Sequence, residues 1–271
     1  MNNLFESTKK IPVAILCGGK GTRLKEETEF RPKPMVKVGN RPIIWHIMKT
    51  YAHYGFTDFM LCLGYKGEMI RDYFLNYDWN HSDVLLELGS KGVTKLKNGH
   101  SEDQWRIWLV NTGEETMTGG RLKRLASYLD DMGSDLLLGT YGDGVCNVNV
   151  SDLLHHHLSH GKLATMTSVR PPSRFGELAL DGDFVTYFRE KPQTSEGWIN
   201  GGYFVLHRKV LDLIEGDDTA FEAQPLKTLA EMGELAVYKH DGFWQCMDTY
   251  RELELLNQLY NSGRALWKVW E

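Results

Sequence analysis

Leu16-Cys17-Gly18-Gly19-Lys20-Gly21-Thr22-Arg23-Leu24 gathers three glycines and two cations, Lys20 and Arg23, in nine residues. Ahead of it, Pro12-Val13-Ala14-Ile15-Leu16 is a short apolar run, the pattern of a buried strand, and it ends at Gly18-Gly19. Glycines at 18, 19 and 21 let the backbone approach a polyphosphate and turn its N–H groups inward. Arg23, and Lys33 within Arg31-Pro32-Lys33-Pro34, add positive charge. Two rival phosphate patterns fail: G-x-x-x-x-G-K-[ST] is absent, and G-G-K-G-T-R does not satisfy G-x-G-x-x-G. This argues against a P-loop ATPase and a dinucleotide dehydrogenase. G-G-x-G alone fits a strand-to-helix turn with surface cations equally well; the run extended through Arg31-Pro32-Lys33-Pro34 is more specific.

Outward from this loop, strand and helix patterns alternate. Ile43, Ile47 and Tyr51 lie at helical spacing between Pro42 and Tyr54, and Gly55 follows as a stop. Phe59-Met60-Leu61-Cys62-Leu63 reads as a second buried strand, and Glu68 to Asn76 as a second helix. That order predicts an α/β fold with a doubly wound, mostly parallel sheet flanked by helices. From Ser82 to Val110 short alternating stretches (VLLEL, VTKL, RIWLV) predict inserted antiparallel strands. The core pattern then returns as a helix over 120–128 and a strand, Asp135 to Tyr141, running into Gly142-Asp143-Gly144. Ser151 is the expected N-cap of a helix over Asp152 to Ser159, stopped by Gly161. Further strand-like runs lie at 164–169, 176–182, 184–190 and 203–206, and the tail from Thr249 to Ser262 is helical, with Leu253, Leu256 and Leu259 on one face.

The 271 residues include 42% hydrophobic and 25% charged side chains, as in ordinary globular proteins. A single domain over 1–271 can absorb that length. The formal charge of −5 leaves no basic footprint for nucleic acid, while small anionic substrates stay compatible with a local basic pocket. Cys17, Cys62, Cys146 and Cys246 form no C-x-x-C pair, which fits a reducing, cytoplasmic setting. Ile11 to Leu16 is too short for a signal-peptide core, and no apolar run approaches the ~20 residues that span a membrane.

Asp143 ends an apolar strand between two glycines, where open α/β sheets place ligands. Asp248, in Met247-Asp248-Thr249, precedes the last helix. Magnesium asks for one or two carboxylates plus phosphate oxygens and water, and these two aspartates could meet that need. Alone, each is more often a turn or helix cap. Glu190-Lys191-Pro192, taken alone, reads as a solvated β-turn, and Ile199-Asn200-Gly201-Gly202 follows it; Glu, Asn and backbone amides are also groups that can supply directed hydrogen bonds. His155-His156-His157 with His160 reads as a solvated helix, since consecutive helical residues point apart.

G-G-x-G-T-R-L followed by R-P-K-P-M-V resembles the sugar nucleotidyltransferase signature. More narrowly, Glu26-Glu27-Thr28, Trp45-His46-Ile47-Met48-Lys49, Gly64-Tyr65-Lys66-Gly67, Thr116-Met117-Thr118-Gly119-Gly120-Arg121-Leu122-Lys123-Arg124 and Trp267-Lys268 with Trp270-Glu271 resemble the glucose-1-phosphate cytidylyltransferases. The resemblance covers residues 12–271 and implies a Rossmann-like fold of the nucleotide-diphospho-sugar transferase type. Residues 12–150 would mainly serve the nucleotide, and 151–271 mainly the sugar. It implies CTP and a sugar 1-phosphate as substrates, Mg2+ as cofactor and a homo-oligomer, with a hexamer as one assembly. Leu16, Gly18, Gly19, Gly21, Thr22, Arg23, Lys33, Thr118 and Gly119 would fall on the nucleotide. Arg121, Gly176, Glu190, Lys191, Asn200 and Gly201 would fall on the sugar phosphate, and Asp143 and Asp248 on the metal. Arg23, Lys33, Asp143, Lys191 and Asp248 would carry the chemistry. Cys17 stands where that family usually has alanine, and the stretch from Glu87 to Trp105 diverges from it. Two readings compete: a catalytically silent sugar-nucleotide sensor, and the same reaction with another nucleotide or acceptor.

Overall fold

Seven strands build the central sheet: β1 (Val13–Leu16), β2 (Asp58–Leu63), β3 (Arg106–Asn111), β4 (Leu136–Tyr141), β5 (Ala164–Val169), β6 (Ile199–His207) and β7 (Leu235–His240). The computed structural model describes residues 11–89, 92–97, 99–171, 177–181, 184–189 and 197–271. Strand order is β7-β5-β6-β4-β1-β2-β3. β1 runs parallel to β2 and β4, β2 to β3, and β5 to β7, while β6 is antiparallel to both its neighbours. The expected mixed, mostly parallel sheet flanked by helices is therefore present.

Apolar residues fill both faces of the central strands, as a sheet covered on two sides requires. Val13, Ile15, Phe59 and Leu61 enter one core, and Ala14, Met60 and Cys62 the other. From β1 the chain adds β2 and β3 on one side, then crosses to β4 on the other. The carboxyl ends of β1 and β4 thus flank the switch point, where open sheets form their ligand crevice. The glycine loop follows β1, and Asp143 follows β4.

Several local expectations need correction. The RIWLV run is no antiparallel insert: it lies in β3, the outermost strand beside β2, and pairs in parallel. An edge strand paired on one side and partly exposed alternates in sequence as an inserted ribbon would. The antiparallel hairpin instead joins Asp83–Glu87 to Gly92–Lys97. The helix expected over 120–128 is two, Thr118–Lys123 and Ala126–Met132. Asn149, not Ser151, caps helix Val150–His160, its side-chain oxygen accepting from the N–H groups of Ser151 (3.0 Å) and Asp152 (3.2 Å). Nor is the histidine run simply solvated. His157 is buried, and its Nδ1 and the Nε2 of His160 each lie 2.9 Å from Thr165 Oγ1.

His46, in helix Ile43–His53, is also buried. Its Nε2 lies 2.9 Å from the Val38 carbonyl and must donate there, so Nδ1 accepts from the Trp267 indole N–H (3.3 Å). Burial lowers His46 from 6.5 to about 4, and burial with the neighbouring histidines lowers His157 to about 4. Below 6.5 the unfolded chain takes up protons that the folded one refuses. Stability should therefore be full above about pH 6.5 and fall as pH drops toward 4, by up to about 3 kcal/mol for each imidazole. Thermal denaturation across that window checks this; a flat profile would contradict it. Among the described residues no helix is long and apolar enough to cross a membrane.

Candidate active site

Asp143 and Asp248 are far apart in sequence but are brought together by a short ribbon. Strand Gly144–Cys146 pairs antiparallel with Trp244–Cys246, Gly144 opposite Cys246, and the Met247 N–H donates to the Asp143 carbonyl at 2.8 Å. Glu252 completes a capping box with Thr249, and its Oε2 also accepts from the Asp248 N–H at 2.7 Å. Asp248 is thus anchored just ahead of helix Tyr250–Asn261.

Lys33 opens a single 3-10 turn, Lys33–Met35, and reaches between the two carboxylates. Its Nζ lies 2.7 Å from Asp143 Oδ2 and also contacts Asp248 Oδ1. Burial works against the ammonium, but the two carboxylates outweigh it and hold its pKa above the ordinary lysine value. Arg23 Nη1 adds a contact of 2.9 Å to Asp248 Oδ2. Two carboxylates, both side chains partly open to solvent, thus converge on the Lys33 ammonium, with Arg23 as a second cation on Asp248. Magnesium that keeps waters and binds phosphate oxygens takes one or two carboxylates, and this pair is of the kind that could hold it. Among the described residues no group of three or more metal-ligating side chains forms a closed cage.

The aspartate and lysine border a cavity of ≈ 370 Å³ that includes Leu16, Gly18, Gly19, Gly21, Thr22, Arg23, Thr118 and Arg121. Gly21 has φ +61°, a left-handed turn suited to glycine. Gly18 is glycine for a different reason: a Cβ there would sit 2.0 Å from the Arg121 guanidinium carbon. That guanidinium is buried. It donates to Thr112 Oγ1 (2.7 Å) and to the carbonyls of Gly113 (2.8 Å), Leu63 (3.1 Å), Glu114 (3.1 Å) and Gly18 (3.2 Å). In this arrangement Arg121 braces the glycine loop from below.

Of the other expected site residues, Gly119 packs under segment 217–221, where a Cβ would lie 2.6 Å from the Thr219 carbonyl. Asn200 places Nδ2 3.4 Å from the Tyr141 hydroxyl, and the Gly201 carbonyl accepts from the Trp244 indole at 2.8 Å. Gly176, Glu190 and Lys191 lie outside the described residues. Pro34, Thr116, Met117, Tyr141 and Gly142 also line the cavity and were missed. Tyr141 and Gly142 adjoin Asp143 at the end of β4, a signal that could have found them.

The nucleotidyl transferase family profile matches residues 13–254, and the chain belongs to that family. It is 47% identical to the glucose-1-phosphate cytidylyltransferase of Salmonella typhi over 258 residues, 95% of this chain and 98% of that one. It is 46% identical to the probable glucose-1-phosphate cytidylyltransferase of Bacillus subtilis (strain 168), over 94% of this chain and 98% of that one. Among solved structures, HddC from Yersinia pseudotuberculosis matches with a TM-score of 0.68 and 22% identity over 92% of this chain and 99% of that one, a likeness of fold.

Proposed function

We propose that the chain transfers CMP from CTP to α-D-glucose 1-phosphate, giving CDP-glucose and pyrophosphate. The observation that carries this reading is that Asp143 and Lys33 line the glycine-loop cavity and that Asp248 joins them through the Lys33 ammonium. A phosphate oxygen of glucose 1-phosphate forms the new bond to the α-phosphorus of CTP. The α–β bridging bond breaks, and pyrophosphate leaves with its electron pair. The nucleophile is already anionic, so positioning and charge neutralisation carry the catalysis.

Asp143 and Asp248 would hold Mg2+, which when bound supplies polarisation of the α-phosphate. With the carboxylates so engaged, Lys33 is free to meet the triphosphate together with Arg23 and the glycine-loop N–H groups, where charge grows on the leaving pyrophosphate. Glu190, Lys191, Asn200, Gly201 and Gly176 are assigned to the acceptor by resemblance alone.

Pyrophosphate release with glucose 1-phosphate and each of the four common nucleoside triphosphates tests the assignment. CTP should be fastest. Equal or faster turnover with dTTP would overturn the choice of nucleotide, and silence with every nucleotide and acceptor would favour the sensor.

A further inference from the structure

Segment 217–222 runs along the amino end of helix Thr118–Lys123. The Met117 N–H donates to the Asp217 carbonyl (2.7 Å), the Gly119 N–H to the Thr219 carbonyl (2.9 Å), and the Phe221 N–H to Thr118 Oγ1 (2.9 Å). These bonds carry Glu222 to the two cavity-lining hydroxyls. Its Oε1 lies 2.5 Å from the Tyr141 hydroxyl and its Oε2 2.6 Å from Thr118 Oγ1.

A carboxylate only accepts hydrogen bonds, so both hydroxyl hydrogens must turn toward Glu222. Burial, reinforced by Glu222, raises the Tyr141 pKa, and the phenol keeps its proton. Thr118 Oγ1 also accepts from the Phe221 N–H and the Tyr141 hydroxyl from Asn200 Nδ2 (3.4 Å), so toward the cavity each oxygen has one remaining lone pair, and no hydrogen, to offer. Among the other lining groups Arg23 and Lys33 form a donor side, with the Asp143 carboxylate beside Lys33. Phosphate oxygens, themselves acceptors, suit that donor side, and the Tyr141–Thr118 side suits a ligand that brings an O–H.

We propose that Glu222 is a specificity-determining positioning residue: by fixing Tyr141 and Thr118 as acceptors, it selects a hydroxyl group of a bound sugar. The proposal rests on the transfer reaction above. That hydroxyl belongs either to the ribose of the nucleotide or to the acceptor sugar, and the two sources are separable.

Glu222 is exposed, so Glu222→Gln preserves fold and shape. Its amide donates to one of the two hydroxyl oxygens and turns that hydroxyl's hydrogen away. kcat/KM is measured for CTP, 2′-deoxy-CTP and 3′-deoxy-CTP with glucose 1-phosphate. A second arm uses CTP with glucose 1-phosphate and its monodeoxy analogues. Wild type should prefer the hydroxylated substrate by about 10-fold or more in one arm, which identifies the sugar. Glu222→Gln should cut that preference several-fold, and the Tyr141→Phe/Thr118→Val double variant should abolish it. A purely structural Glu222 would lower all rates alike and leave the ratios intact. Unchanged ratios in Glu222→Gln for every pair would overturn the proposal. Failure of the reaction assignment shows separately, as a wild type that makes no CDP-glucose, and it removes the substrates this wall would select.

Discussion

Asp143→Ala and Asp248→Ala should each lower kcat by roughly 100- to 1,000-fold, the several kcal/mol that a positioned divalent ion contributes to transition-state charge. The double variant should be little worse than either single one, because one ion held by two ligands is lost when either is removed. The geometry supports a joint role: both carboxylates contact the same Lys33 ammonium, and the Met247 N–H to Asp143 carbonyl bond ties their two strands together. Two independent caps would behave otherwise. Each loss would then lower stability by about 1 kcal/mol, the effects would add, and turnover would persist. Steady-state rates at saturating magnesium, with circular dichroism to confirm folding, separate these outcomes.

Arg121→Ala should destabilise the fold by about 3–5 kcal/mol, and Arg121→Lys should rescue little of it. Removal of the guanidinium empties a buried place and takes a charged donor from five acceptors; the Leu63 carbonyl keeps Thr112 and the Gly18 carbonyl keeps the Tyr65 N–H, while the Gly113 and Glu114 carbonyls lose the donor described for them. A lysine ammonium is a point charge on a flexible stem and cannot reach oxygens spread around a planar fork. The glycine loop would lose its floor, so nucleotide binding should weaken as well. Urea denaturation reads the first effect, and KM for CTP the second. A stable Arg121→Ala protein impaired only in its use of glucose 1-phosphate would return Arg121 to the sugar-phosphate side, where the resemblance put it.

The parts legible in the sequence were those whose cause is local. A buried strand running into Gly18-Gly19, and another into Gly142-Asp143-Gly144, announced both β1 and β4 with the loops that follow them. The apolar spacing of Leu253, Leu256 and Leu259 gave the last helix within a residue at each end. What topology creates was not legible. The RIWLV run carried no mark of its partner, and its place beside β2 follows from the sheet order. The direction of Arg121 could not be read from T-G-G-R-L, since its acceptors lie at Gly18, Leu63 and 112–114. Glu222 had no motif at all; segment 217–222 places it against Thr118 and Tyr141. Lys33 was expected on phosphate, and its contact with both aspartates emerged only when the ribbon brought them together.

Electron paramagnetic resonance of Mn2+ titrated into the protein with CTP tests whether Asp143 and Asp248 form one divalent-ion site for the nucleotide. Wild type should immobilise the ion, and Asp143→Ala and Asp248→Ala should each lose that bound signal while remaining folded. A single variant that keeps wild-type Mn2+ binding in the presence of CTP would contradict the shared site.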